Sequence, residues 1–159
     1  MSEYGKTILK WWSTALNRDT THGRALSARL RRAAPVEVMS EPEVHVLARE
    51  LGLKDAERLV RIVTLLAEVR EHLAQPLAKQ LGTGDPKVFS ELRFQKLMRA
   101  TGDELELGLR RAIKIAGHSC NVAALGEDLM FWSEKTRMTW CFHYFGADAP
   151  KPISEETAP

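Results

Sequence analysis

The chain is poor in cysteine. Its 159 residues include two, Cys120 and Cys141, and neither belongs to a CxxC motif, so a disulfide-stabilised scaffold is excluded. It also lacks a run of about 18 apolar residues, the length that a helix needs to cross a bilayer, and the N-terminal apolar segment of a signal peptide. We therefore expect a protein of the reduced cytoplasm.

Residue patterns typical of catalysis are missing as well. No nucleophile is paired with a general base, and the segment LGTGDP at 81–86 lacks the third glycine and the lysine of phosphate-binding loops. Cys141 and His143 lie two positions apart on a predicted helix and point about 200° apart, so they cannot share one tetrahedral metal site. We expect no enzyme, no metal and no cofactor.

The net charge is only +2, but the charges are segregated. Residues 1–34 carry seven Lys or Arg and two acids, a balance of +5, and residues 87–117 carry seven and four, a balance of +3. Residues 37–57 carry six acids against Arg49 and Lys54. Two basic stretches could therefore form one cationic face, which favours a polyanionic partner.

Nearly every periodic segment follows the helical repeat, so the sequence predicts an all-α fold. We expect two small helical-bundle lobes packed in one compact unit, residues 1–74 and 89–146, joined by a linker at 75–88 and followed by a disordered acidic tail at 147–159. The predicted helices are about 6–16, 23–34, 42–51, 56–73, 91–99, 104–116, 122–132 and 134–145, with one short turn at 77–81. Asp55, Ser90, Asp103 and Asn121 are the predicted N-caps, and either Ser133 or Thr136 begins the last helix.

Basic side chains recur at helical spacing in the second half. Arg93, Lys96 and Arg99 lie three residues apart, so they share one side of a helix. Arg110, Arg111 and Lys114 project from the next helix. Because a guanidinium donates two parallel hydrogen bonds, such stripes suit phosphate groups.

The N-terminal half repeats the pattern on one helix, with Arg24, Arg29, Arg31 and Arg32 outside its apolar stripe. Two interpretations remain open for all of these cations. They could bind nucleic acid, or they could be ordinary solvated helix faces, partly paired with acids such as Glu106.

Other polar and aromatic side chains are given structural roles. Asp128 lies among apolar residues and is expected to hold a basic group such as Arg111 or Arg137. The four tryptophans, Trp11, Trp12, Trp132 and Trp140, could stack on bases, but each lies on or beside an apolar stripe, which favours core packing.

Six segments in this order resemble the CasB family, the small subunit of the type I-E CRISPR Cascade complex. They are WWSTAL at 11–16, GRALSARLRRA at 23–33, RFQKLMRA at 93–100, LGLRRAIKIA at 107–116, NVAALGEDLMFW at 121–132 and RMTWCFHYF at 137–145. The resemblance covers nearly the whole chain apart from the tail, with less of it in 36–88.

The resemblance implies a non-catalytic, all-helical subunit that needs no metal. Its partners would be the other Cascade subunits, a second copy of itself, the guide RNA and both strands of the target DNA, held without regard to sequence to stabilise the R-loop. The family's basic positions fall here on Arg24, Arg29, Arg32, Arg93, Arg99, Arg110, Arg111 and Arg137.

Two alternatives compete with this interpretation. A free-standing helical DNA-binding regulator would need a recognition helix with base-reading side chains, whereas the helix after Asp103 carries no Asn or Gln. A protein-interaction module would carry its basic faces merely as solvated surface.

Overall fold

The computed structural model describes residues 2–146. Its elements, in chain order, are α1 (Glu3–Ala15), α2 (Thr21–Arg32), α3 (Pro35–Met39), α4 (Pro42–Leu51), α5 (Ala56–Leu66), β1 (Glu71–His72), α6 (Leu77–Leu81), α7 (Glu91–Arg99), α8 (Gly102–Ile115), β2 (Ser119–Cys120), α9 (Val122–Met130) and α10 (Glu134–Tyr144). The predicted all-α class is confirmed, because helices account for most of these residues and each strand has only two.

Side-chain capping explains where many of the helices begin. Polar side chains accept a backbone N–H at the start of α1, α2, α5, α7, α9 and α10; these are Ser2, Thr20, Asp55, Ser90, Asn121 and Ser133. An N-cap oxygen satisfies an amide that has no partner within the helix. The predicted caps Asp55, Ser90 and Asn121 are confirmed, and of the two alternatives for the last helix Ser133 is the cap. Asp103 is not a cap, because it lies in the first turn of α8, after the N-cap Thr101.

The segment after α5 departs from the prediction of one long helix to residue 73. The helix ends at Leu66, and Glu71–His72 pair in parallel with Ser119–Cys120. The Arg70 amide donates to the His118 carbonyl at 2.7 Å. The apolar periodicity of the sequence continues past Leu66, but the helix does not. Backbone groups beyond it bond to the distant segment at 118–120 instead of to the preceding turn. Helix α3 was not predicted either.

One hydrophobic core runs through all the helices of residues 2–146. Helix α1 packs chiefly on α9, and this contact is close because Gly126 lacks a side chain: a Cβ there would lie 2.5 Å from Ile8 Cγ2. The short helix predicted at 77–81 is confirmed as α6, which packs against α10 and α8. The N-terminal and C-terminal helices thus share one interior.

The division into two lobes with a linker at 75–88 stays a prediction. The predicted disordered tail, 147–159, lies outside the described residues. Within residues 2–146, no helix combines the length and apolar character needed to cross a membrane.

Candidate nucleic-acid interface

Helices α7 and α8 form a hairpin whose outer side is a groove of about 870 Å³. The hairpin is held together by buried Phe94 and Leu97 on α7 and by Leu105 and Leu109 on α8. The helices approach closely beside Gly108, where a Cβ would lie 2.9 Å from Leu97 Cδ1. Close contact between the helices thus forms the base of the groove.

Five cations line this groove, and one carboxylate accompanies them. The cations are Arg93, Lys96, Arg99, Arg111 and Lys114, and the carboxylate is Glu104. The local formal charge is therefore +4. All five basic residues are exposed, and within residues 2–146 none has a salt-bridge partner. This surface, called the α7–α8 groove below, is a concentrated positive field open to solvent.

The spacing of these cations follows from helix geometry. Residues three apart rise about 4.5 Å along an α-helix, so Arg93, Lys96 and Arg99 form a row about 9 Å long on α7. Arg111 and Lys114 form a second row on α8. Two such rows on neighbouring helices can contact several successive phosphates of one backbone.

The floor of the groove is apolar. Phe89 and Leu97 are buried beneath it, while Leu107 is 53% exposed between the cations. The residues that line the groove include no Asn or Gln, the side chains that read adenine edges in the major groove. The groove therefore offers cations for contact with phosphate and an apolar floor for contact with sugar or base faces.

Sequence reasoning identified all five of these cations but missed Glu104 and Leu107. The signal was present, because residues 104, 107, 111 and 114 recur at helical spacing and therefore share one face of α8. That face was not recognised as the partner of the basic face of α7.

Arg110 lies next to Arg111 in sequence but faces the other way. Its Nη1 donates to the Arg31 carbonyl at 2.7 Å and lies 3.4 Å from Glu68 Oε1, and its Nη2 lies 3.4 Å from Glu106 Oε1. Glu68 is 4% exposed, so Arg110 neutralises a buried carboxylate. It ties α8 to α2 and to the segment that follows α5.

Arg137 also has internal partners. Its Nη1 donates to the Met98 carbonyl at 3.1 Å, and its Nε donates weakly to the Ser133 carbonyl at 3.5 Å. The guanidinium therefore fastens α10 to the last turn of α7 and supports the α7–α8 groove from behind.

The three N-terminal site predictions lie together on α2, on a different part of the surface. Arg29 makes a bidentate pair with Glu41, at 2.8 and 3.0 Å, which raises the pKa of Arg29 and lowers that of Glu41 through their hydrogen bonds. Arg24 donates to the Arg18 carbonyl at 2.8 Å. Arg32 is exposed and lines a smaller depression of about 420 Å³ beside Arg29.

Asp128 has a different partner from the one predicted. Its Oδ2 accepts the Trp140 indole N–H at 2.8 Å, and the prediction that it holds Arg111 or Arg137 is wrong. Burial raises its pKa to about 6, opposed by the Trp140 hydrogen bond. A carboxylate with no cation beside it loses its hydration without electrostatic compensation.

The tryptophans serve the interior, as the sequence predicts. Trp11 and Trp140 are buried, and Trp12 and Trp132 pack against the core. Trp12 Nε1 donates to the Leu66 and Val69 carbonyls, both at 3.2 Å, at the end of α5. Core packing therefore accounts for Trp11 and Trp140 fully and for Trp12 and Trp132 in part.

Within residues 2–146 no group of three or more His, Cys, Asp or Glu side chains is placed to hold a metal ion. Burial raises the pKa of the Cys120 thiol to about 12, as expected for a small apolar core residue.

The fold is similar to a chain in the crystal structure of E. coli Cascade bound to a PAM-containing dsDNA target, with a TM-score of 0.65 and 20% sequence identity, covering 86% of this chain and 93% of that one. No curated protein sequence matches significantly. The model of the CRISPR-associated protein Cse2 family matches residues 27–145, so the resemblance to CasB, another name for Cse2, is confirmed and the chain belongs to this family.

Proposed function

We propose that this chain is the non-catalytic small subunit of a type I-E Cascade complex and that its α7–α8 groove holds nucleic-acid phosphates. Family membership and the Cascade-like fold support the assembly. The single observation that supports the contact is the convergence on one groove of five exposed cations, none of which has a salt-bridge partner within residues 2–146, with one carboxylate. In this role the subunit works in the cytoplasm, where target DNA is met.

An R-loop needs only a small net stabilisation from protein contacts. Exchange of a DNA duplex for an RNA–DNA hybrid is nearly balanced, so a few backbone contacts can shift it. The guide supplies sequence recognition, and the groove then needs only phosphate contacts along the guide–target hybrid and the displaced strand. A site with few such contacts binds weakly alone and gains affinity when it is tethered in a complex.

Arg93, Lys96, Arg99, Arg111 and Lys114 are the phosphate-binding residues of this proposal. Arg32 and Arg24, which are exposed on α2, would extend the contact to a second segment of backbone. Arg29, Arg110 and Arg137 act through their internal partners and support the surface.

Contact with other subunits, including a second copy of this chain, belongs to the same proposal. Met138, Phe142 and Phe145 are 50%, 42% and 55% exposed and recur at helical spacing along α10 and its C-terminal cap. Such an apolar strip suits burial against another protein. Phe142→Ser should release the chain from a complex purified on tagged guide RNA while leaving oligonucleotide binding by the free chain unchanged. Unchanged recovery with the complex would remove this strip from the proposal.

The decisive experiment measures binding of a labelled single-stranded oligonucleotide of mixed sequence by fluorescence anisotropy over a salt series. Each phosphate contact contributes about −0.7 to the slope of log K against log salt on a single strand, so five contacts predict about −3.5. The double variant Arg111→Gln/Lys114→Gln should reduce the slope to about −2.1.

A matched control removes the same charges elsewhere. Arg49 and Lys54 are exposed in the acidic segment, so Arg49→Gln/Lys54→Gln should leave the slope near the wild-type value. Equal slopes for the wild type and the groove variant would refute the assignment. Binding that is sequence-specific at moderate salt would instead favour a regulator, and no binding at low salt would favour a protein-interaction module.

A further inference from the structure

Helix α10 ends beside the α7–α8 groove. The hydroxyl of its last residue, Tyr144, donates to the Phe89 carbonyl, and Phe89 lines the groove. The Tyr144 ring also stacks on Phe94 of α7, with ring centroids 3.9 Å apart. Phe145 packs edge-on against Phe94, at a centroid distance of 6.3 Å. The chain therefore leaves α10 next to α7, whose row of groove cations begins with Arg93.

Other contacts hold this exit point in place. A Cβ on Gly82 would lie 1.8 Å from the Tyr144 carbonyl oxygen, so the end of α6 packs directly on the end of α10. Lys87 Nζ donates to the Gly82 and Tyr144 carbonyls at 3.2 and 3.4 Å. Gly146 has a φ of +84°, in the left-handed region that often ends a helix. The residues that follow therefore start from a defined position beside α7.

The segment that follows, ADAPKPISEETAP at 147–159, is acidic and lies outside the described residues. Its charged side chains are three carboxylates and one cation, a formal charge of −2; they are Asp148, Lys151, Glu155 and Glu156. Ile153 is its one large apolar side chain. The α7–α8 groove has the complementary features, a formal charge of +4 and an apolar floor on which Leu107 is exposed. Opposite charge on the two partners favours contact.

The groove cations need such a partner. Arg110, one position from Arg111, is neutralised by Glu68 and Glu106, whereas within residues 2–146 no salt bridge reaches the five cations of the groove. Like charges on the faces of neighbouring helices repel one another, which destabilises the fold. Carboxylates tethered nearby would reduce that repulsion.

The acidic pair Glu155 and Glu156 can reach every cation of the groove. An extended chain spans about 3.3–3.6 Å per residue, so the nine residues from Gly146 to Glu155 span at most about 30–32 Å. Helix α7, also nine residues long, measures only about 13.5 Å. Because the segment belongs to the same chain, its effective concentration is about millimolar, so even a contact that is weak between separate molecules is populated.

We propose that residues 147–159 dock in the α7–α8 groove of the same chain and that a nucleic-acid backbone displaces them. Glu155 and Glu156 pair with groove cations, and Ile153 lies against the apolar floor. A nucleic acid presents a phosphate at every nucleotide, so it engages more of the five cations than two carboxylates can. The segment thus acts as an internal competitor. The competition rests on the function proposed for the groove, whereas the docking does not.

Carbodiimide crosslinking of the full chain tests the docking without nucleic acid. The reagent joins a carboxylate to an amine in contact with it, and mass spectrometry of the monomeric product locates the bond. We expect Glu155 and Glu156 to be joined to the groove lysines, which are Lys96 and Lys114. The yield should fall severalfold at about 0.5 M salt, because salt screens exposed ion pairs. Lys54, exposed in the acidic segment, is the internal reference, and equal yields with it and the groove lysines would overturn the proposal.

A charge variant separates docking from mere proximity. Arg93→Gln/Arg111→Gln keeps both groove lysines but lowers the formal charge of the groove from +4 to +2, so the crosslinks should become severalfold weaker. Arg49→Gln/Arg58→Gln removes two exposed cations elsewhere and should leave the crosslinks unchanged. Equal yields in these two variants would contradict an ionic contact with the groove.

Oligonucleotide binding tests the competition. Glu155→Gln/Glu156→Gln should tighten binding of the mixed-sequence oligonucleotide by about two- to tenfold at low salt, because two ion pairs no longer compete. The gain should vanish at high salt. Glu50→Gln/Glu57→Gln removes two exposed carboxylates elsewhere and controls for net charge. Equal gains in the two variants would show that the segment does not compete for the groove.

The docking and the groove function fail in different ways. Crosslinks to the groove lysines without oligonucleotide binding by any variant would support the docking and refute the function proposed for the groove. Oligonucleotide binding that is weakened by Arg111→Gln/Lys114→Gln, with crosslinks spread equally over Lys54 and the groove lysines, would refute the docking and leave that function in place.

Discussion

Arg110 and Arg111 are adjacent on α8 and chemically identical, yet the structure uses them differently. Arg110 neutralises buried Glu68 and holds the Arg31 carbonyl, whereas Arg111 is exposed in the α7–α8 groove. Successive residues on a helix are rotated by about 100°, so one points inward and the next points to solvent. A basic stripe in a sequence therefore mixes structural cations with those available to a ligand.

The largest expected effect separates these two neighbours. Arg110→Met removes the guanidinium that neutralises buried Glu68 and should lower the free energy of unfolding by about 3–5 kcal/mol. Arg111→Met removes no internal bond and should change it by less than about 0.5 kcal/mol. Urea unfolding followed by circular dichroism measures both. Similar losses in the two variants would contradict the division of roles.

A smaller effect is expected from Asp128, the buried carboxylate that contacts an indole instead of a cation. Its pKa is raised from 3.8 to about 6, so the folded state keeps a proton that the unfolded state has lost between these values. Stability from this group therefore falls as the pH rises from about 4 to 6, by at most about 3 kcal/mol, and then stays level.

Asp128→Asn keeps an acceptor for Trp140 and removes the ionisation. The variant should be more stable than the wild type at pH 7 by about 1–3 kcal/mol and should approach it at pH 4. The difference in unfolding free energy between the two proteins, measured from pH 4 to 8, isolates this group from the other carboxylates. A constant difference over that range would show that Asp128 is already ionised throughout.

The smallest effects are expected for two arginines of α2, Arg29 and Arg32. Arg29 is paired with Glu41, but the Arg29 side chain is 50% exposed, so Arg29→Gln should cost only about 0.5–1 kcal/mol at pH 7. Arg32→Gln should cost less, since Arg32 is exposed.

The pairing of Arg29 also predicts a pH dependence. It lowers the pKa of Glu41, so its stabilisation is present above the ordinary glutamate pKa and is lost as the pH falls through the lowered value. Measuring both α2 variants at pH 7 and pH 3 checks this. A cost for Arg29→Gln that persists in acid would assign its role to packing.

Much of the local structure could be predicted from the sequence because its causes are local. Helix α4 was predicted at 42–51, from a proline in the first turn and Gly52 after the last, and the structure gives the same bounds. The caps Ser90 and Asn121 were recognised in the same way. The end of α5 was missed because its cause lies in the distant segment of His118.

The same difference between local and distant causes applies to the candidate site. All five cations of the α7–α8 groove were found from helical spacing, which depends only on neighbours in the chain. The roles of Arg29, Arg110 and Arg137 could not be found in that way, since each depends on an acceptor supplied by another element. Glu41, Glu68 and Met98 are those acceptors.

Residue order alone determined the helical class, most of the helix starts, the apolar stripes and the positions of positive charge, because propensity, capping and periodicity act over a few residues. Tertiary structure decided which cations face solvent and which are neutralised inside. That choice depends on the close approaches at Gly23, Gly108 and Gly126, which bring distant segments into contact. A guanidinium becomes a structural element or a ligand contact according to what packing places opposite it.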